Sequence, residues 1–146
     1  MLKQITVFLE NKSGRMEEVT GCIAENNINI HALYVADTTD FGILRMIVSD
    51  PEKAMKVLKA KDFMVKTNDV IAVAIEHNPG SLHNVLCKLN TPDTSLEYIY
   101  AFTSRHKDYD AIVIMSVGNQ AAAVEKLNSS GLILLDENLL EQINKL

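Results

Sequence analysis

Two five-residue segments hold the groups best suited to binding a small charged molecule: Glu10-Asn11-Lys12-Ser13-Gly14 and Glu76-His77-Asn78-Pro79-Gly80. Each closes a strand-like run and precedes a stretch with helical apolar spacing. A helix beginning just after Gly14 or Gly80 presents backbone N–H groups without intrahelical partners and the positive end of its dipole. A carboxylate is a natural guest there. Glycine lets the backbone come close to that guest, with no Cβ in the way. Asn11, and Asn29 at the opening of the next strand-like run, each offer a donor and an acceptor to a charged ligand. The same residues also serve as plain turn formers, since glycine after a strand closes a turn and asparagine beside it completes it.

Other reactive residue types lack supporting patterns. His31, His77, His83 and His106 show no metal-ligand spacing, so neither a metal site nor a cofactor is expected. Asp37/Asp40 and Asp108/Asp110 fall in turns, where paired carboxylates are solvated, and Arg105-His106-Lys107 reads as a solvated charged turn. Cys22 and Cys87 form no CxxC and read as buried or half-buried free thiols in helical segments. Arg45, inside the apolar strand 42–48, either snorkels at an edge or pairs with an acid across a subunit boundary. No nucleophile signature, Walker loop or dinucleotide fingerprint is present, so the sequence does not point to an enzyme.

Bulk properties narrow the partners. The chain has 146 residues and a net charge of −5 with no basic cluster, which argues against a nucleic-acid surface. Tyr98-Ile99-Tyr100-Ala101-Phe102 has no basic neighbours for base stacking and reads as core or interface. No apolar run approaches the ~20 residues of a membrane span, and the N-terminal apolar stretch is too short for a signal peptide. A soluble cytoplasmic protein is expected.

The elements that must position the two loops occur twice. Residues 4–36 align with 70–102 at a shift of 66, and 42–65 align with 111–134 at a shift of 69. Ile5/Ile71, Val7/Val73, Glu10/Glu76, Gly14/Gly80, Val19/Val85 and Tyr34/Tyr100 are identical pairs. A repeat of about 70 residues is too long for a solenoid and reads as a duplicated small domain. In copy one the pattern predicts a strand over 3–10, a helix over 15–26, strands over 28–36 and 42–48, a helix from Asp50-Pro51 to about 60 and a strand over 62–67. Copy two predicts strand 70–76, a helix carrying Leu82, Val85, Leu86 and Leu89, strands 94–103 and 110–117, helix 119–129 and strand 131–135. Asp136 then caps a short extra helix with Leu139, Leu140, Ile143 and Leu146 on one side. The order βαββαβ in each copy implies an α+β protein of two ferredoxin-like units, residues 1–68 and 69–146. Only Asn68-Asp69 links them, so they are expected to pack in a fixed orientation as a pseudo-dimer.

Both faces of strands 28–36 and 94–103 carry apolar residues, which suggests a second layer and a homodimer. With βαββαβ units and a glycine turn between the first strand and helix, the chain resembles ACT domains, small regulatory modules that bind amino acids. The carriers are the two glycine loops and the strand openings Ile28-Asn29-Ile30 and Ser95-Leu96-Glu97-Tyr98. Copy two keeps the Pro-Gly of the family pattern and copy one has Ser-Gly, whereas only copy one keeps Asn-Ile. The resemblance spans roughly residues 1–135 and implies a stand-alone tandem ACT protein whose effector binds where two units meet. It implies ligand contacts at Asn11, Ser13, Gly14 and Asn29 in copy one, and at His77, Pro79, Gly80 and Ser95 in copy two. The expected partners are an amino-acid effector, a second copy and a regulated enzyme. The alternative is a structural subunit that associates with an enzyme through its sheet face or C-terminal helix and binds no ligand.

Overall fold

The structure, a computed structural model, describes residues 1–10, 12–37, 41–106 and 108–144. The chain divides into two compact units, Lys3–Asp69 and Val70–Leu146 with Met1–Leu2.

The first unit contains β1 (Leu2–Glu10), α1 (Arg15–Glu25), β2 (Ile30–Asp37), β3 (Phe41–Val48), α2 (Pro51–Ala60) and the start of β4 (Met64–Ile75). β1 runs antiparallel to β3, with Ile5 opposite Met46 and Glu10 opposite Phe41. β2 pairs with the other side of β3, with Leu33 opposite Met46, after a bulge between Ile30 and Ala32. The period-2 alternation of β1 puts Ile5, Val7 and Leu9 on one face. They pack with Val19, Cys22 and Ile23 of α1, Ala54 and Leu58 of α2, and Leu44, Met46 and Val48 of β3. Each Val, Leu, Ile or Met side chain among them contributes about 1.5–3 kcal/mol by leaving water. The alternate residues of β1 mix Leu2 and Phe8 with two buried polar groups: Gln4 Nε2 and Thr6 Oγ1 both donate to Asn68 Oδ1, at 3.2 and 3.3 Å. Arg45, on the same face as Thr6, places its guanidinium 5.8 Å from the Tyr34 ring centroid.

The second unit contains the remainder of β4, α3 (Ser81–Leu89), β5 (Leu96–His106), β6 (Tyr109–Val117), α4 (Gln120–Ser129), β7 (Ile133–Leu134) and α5 (Glu137–Asn144). β6 pairs antiparallel with β4 and with β5, so that Val113 lies opposite Val73 on one side and Ala101 on the other. β7 takes the other side of β4, with Leu134 opposite Val73. Its core joins Ile71, Val73, Val85, Leu89, Val113, Met115, Val117, Ala123 and Leu127. α5 packs against β5 and buries Leu140.

Both units are therefore ferredoxin-like α+β folds. Three local expectations change. Asn68-Asp69 is no loop but the middle of β4, held by the Gln4 and Thr6 bonds and by a Lys3–Asp69 ion pair of 3.2 Å. β5 runs on through residues expected to turn at 105–106, and the last strand shrinks from 131–135 to Ile133–Leu134. The expected turn at Asp40 and Lys107 lies outside the described residues.

Candidate functional site

Helix starts are built in two ways. α2, α4 and α5 begin with a side-chain cap: Asp50 accepts from Lys53 N–H at 3.0 Å, Asn119 from Ala122 N–H at 3.1 Å, and Asp136 from Leu139 N–H at 2.8 Å. α1 and α3 begin instead on Gly14 (φ 85°) and Gly80 (φ 91°), without a side-chain cap. This left-handed conformation favours glycine, and nothing within 4 Å would meet a Cβ at either place. The carbonyls of Gly14 and Gly80 start the helical ladders by accepting from Glu18 and Asn84 N–H, each at 3.0 Å.

Gly14 lines a cavity of about 340 Å³ with Leu9, Glu10, Lys12, Arg15, Met16, Val35 and Gly42. Lys12 bridges Glu10 at 2.8 Å. Its hydrogen bond and charge, with a smaller contribution from Arg15, hold the Glu10 carboxyl below the ordinary 4.5. Backbone donors, an ammonium and a carboxylate thus face one small space. Ser13 is exposed in the turn, and Asn11 lies outside the described residues. Asn29 is not with them. It stands before β2, whose far end passes Gly14, about 25 Å away at ~3.3 Å per strand residue. There it is tied to the β3–α2 loop, donating its N–H to Ser49 Oγ and accepting from Ser49 N–H, both at 2.9 Å.

Copy two repeats the separation. His77, Pro79 and Gly80 share the loop, where His77 N–H donates to Asp110 Oδ2 at 3.4 Å and Asn78 donates to Glu76 at 2.7 Å. Ser95 sits before β5 at the opposite end, accepting from Gly118 N–H at 2.9 Å. A cavity of about 380 Å³ opens beside the loop, lined by Glu76, Ser81, Asn84, Lys88 and Asp108 among others, and by none of the residues expected from the sequence.

One pairing escaped the sequence reading. Cys87 is exposed rather than buried, and its Sγ lies 3.3 Å from His83 Nε2. The i, i+4 spacing that puts both on one helix face was the available signal. Cys22, by contrast, is buried in the first unit's core.

A family model for an ACT domain pair matches residues 1–143. The chain belongs to the ACT domain pair family. ACT domains are regulatory, ligand-binding modules. This ACT pair is 42% identical to protein BT0572 from Bacteroides thetaiotaomicron, with a TM-score of 0.84 over 92% of this chain and 91% of that one. The regulatory subunits of aspartate kinase from Thermus thermophilus (ligand free form) and from Thermus flavus are each 13% identical, with TM-scores of 0.60 and 0.58 over 87% of this chain and 90% of theirs. At that identity they share the fold. No curated protein matches the chain. Among the described residues, no helix of this ACT pair is long and apolar enough to cross a membrane.

Proposed function

We propose that this chain is a cytoplasmic, non-catalytic sensor that binds a small amino acid and passes its binding state to a partner enzyme. The ACT units are residues 1–68 and 69–146. The carrying observation is the left-handed glycine at the start of α1, facing a cavity that also holds Lys12 and Glu10. Helix-start N–H groups and Lys12 receive the ligand's carboxylate, and Glu10 receives its ammonium. Asn11, Ser13, Gly14, His77, Pro79 and Gly80 form the loop side of such sites. Asn29 and Ser95 join them as the contribution of another ACT unit, which a homodimer supplies. Leu33, Val35 and Phe41, exposed by 47%, 43% and 52%, support self-association along the β2–β3 edge.

Thermal unfolding with each common L-amino acid at millimolar concentration tests the reading. A ligand of the folded state adds about 2.7 kcal/mol at a hundredfold excess over its Kd. One chemical subset should raise the melting temperature, and Lys12→Glu or Asn29→Ala should abolish that rise. Light scattering on the same sample should give the dimer mass. Absence of any rise with the unaltered protein would sink the sensor, and a monomer mass would sink the pairing.

A further inference from the structure

The two copies differ at one equivalent place. Under the repeat shifts, Arg15, Glu18 and Phe63 of copy one correspond to Ser81, Asn84 and Leu132 of copy two. The left-handed residues Asp62 (φ 62°) and Gly131 (φ 77°) before the last strand correspond as well, so the backbones match there. In copy one a cavity of about 590 Å³ lined by Glu18, Cys22, Lys61 and Phe63 among others opens on the matching helix face, and Arg15 reaches across beside it. Its guanidinium lies 4.8 Å from the Phe63 ring centroid and donates to Glu18 at 2.7 Å, while its Nε is buried without a partner. In copy two the corresponding side chains are short, and the space is the cavity of about 380 Å³ lined by Ser81, Asn84, Lys88, Glu76, Asp108 and Leu132. That volume lies within the ~300–1,000 Å³ of small-molecule sites.

We propose that this cavity is a ligand site of copy two for a free α-amino acid, and that copy one, with the buried Cys22 where copy two has Lys88, lacks its counterpart. The ligand's class rests on the amino-acid reading above; the place does not. Ser81, Asn84 and Lys88 recur at i, i+3 and i+7 of α3 and so share one face. Lys88 supplies a cation for the ligand's carboxylate, and Glu76 and Asp108 supply anions for its ammonium. Ser81 and Asn84 add neutral donors and acceptors between the two charges. Either a pure cation or a pure anion meets a like charge in this cavity, whereas a zwitterion satisfies both signs.

The test compares the full chain with two variants of copy two, titrating the common L-amino acids one at a time by calorimetry. Ser81→Arg with Asn84→Glu installs the copy-one ion pair and should remove binding at this site. Lys88→Glu, on an exposed position, should do the same without risk to folding. On titration the amide resonances of Ser81, Asn84 and Lys88 should move in the unaltered protein, and equally in Lys12→Glu. Binding that survives both copy-two variants but is lost in Lys12→Glu overturns this site and leaves the loop reading standing. Binding lost in the copy-two variants but kept in Lys12→Glu does the reverse. No binding of any amino acid by the unaltered chain overturns both.

Discussion

Copy one and copy two share a backbone and differ in what fills it. Both begin their first helix on a left-handed glycine and their second on a side-chain cap. Around the glycine, copy one is crowded with long charged side chains, Lys12, Arg15 and Glu18. Copy two puts Asn78, Ser81 and Asn84 at the matching positions. The lesson is that backbone geometry, kept in both copies, sets where a ligand could approach, while the side chains decide which charges line the space. A second exchange points the same way. In copy one Ser49 carries the hydroxyl that accepts from Asn29 N–H. In copy two the corresponding residue is Gly118, and Ser95 carries the hydroxyl, 2.8 Å from where a Cβ at Gly118 would stand. The group has moved across the contact while the backbone bond between the two loops remains.

The sharpest way to break the backbone half of the comparison is to replace the shared glycines. Gly14→Val and Gly80→Val put a β-branched residue at φ 85° and 91°. Open space surrounds both positions, so the cost is conformational, about 1–3 kcal/mol each. Urea unfolding should give equal losses for the two variants. A loss at only one would mean the loops do not share their strain, and the equivalence would fail.

The caps provide a smaller and independent check. Asp50→Ala and Asn119→Ala each remove one side-chain bond to a helix-start N–H. Each should cost about 1 kcal/mol in the same urea experiment. Asp50 should cost slightly more, because its charge also meets the dipole of α2 and Pro51 already holds the first helical position. An effect below a few tenths of a kcal/mol at Asn119 would show that α4 is held by its buried Ala123 and Leu127 alone.

Much of this symmetry is legible in the sequence, because periodicity and glycine placement are local. Ile5, Val7 and Leu9 announce a strand, and Val19 with Ile23 announces a helix, whatever surrounds them. Asn68-Asp69 misleads for the opposite reason. Both residues favour turns, and only bonds from Gln4, Thr6 and Lys3, more than sixty positions away, hold them extended. The separation of Gly14 from Asn29 was also within reach, since antiparallel pairing through β3 leaves β1 and β2 running the same way. The open cavity in copy two was not. It depends on Ser81 and Leu132 meeting across fifty residues of chain, and each looks ordinary alone.

The smallest effect concerns a titrating group present in only one copy. His31 of copy one aligns with Glu97 of copy two, whose carboxylate accepts from Ser116 Oγ at 2.7 Å. Half-burial disfavours the imidazolium and holds the His31 pKa below the ordinary 6.5. Asn29 Nδ2 lies 3.4 Å from His31 Nδ1, a bond that the amide can donate only to the unprotonated nitrogen. As pH falls from 6.5 towards the folded-state pKa, the unfolded chain takes up this proton and the folded chain does not. Unfolding is then favoured, so His31's contribution is intact above 6.5, declines through that window and levels off below it. The informative quantity is the difference between the unaltered chain and His31→Gln. That difference should shrink with falling pH between 6.5 and the folded-state value, while ring-proton NMR should place the His31 midpoint below 6.5. A midpoint at or above 6.5 would mean that His31 is solvated in the folded protein and that the start of β2 is looser than its copy-two counterpart.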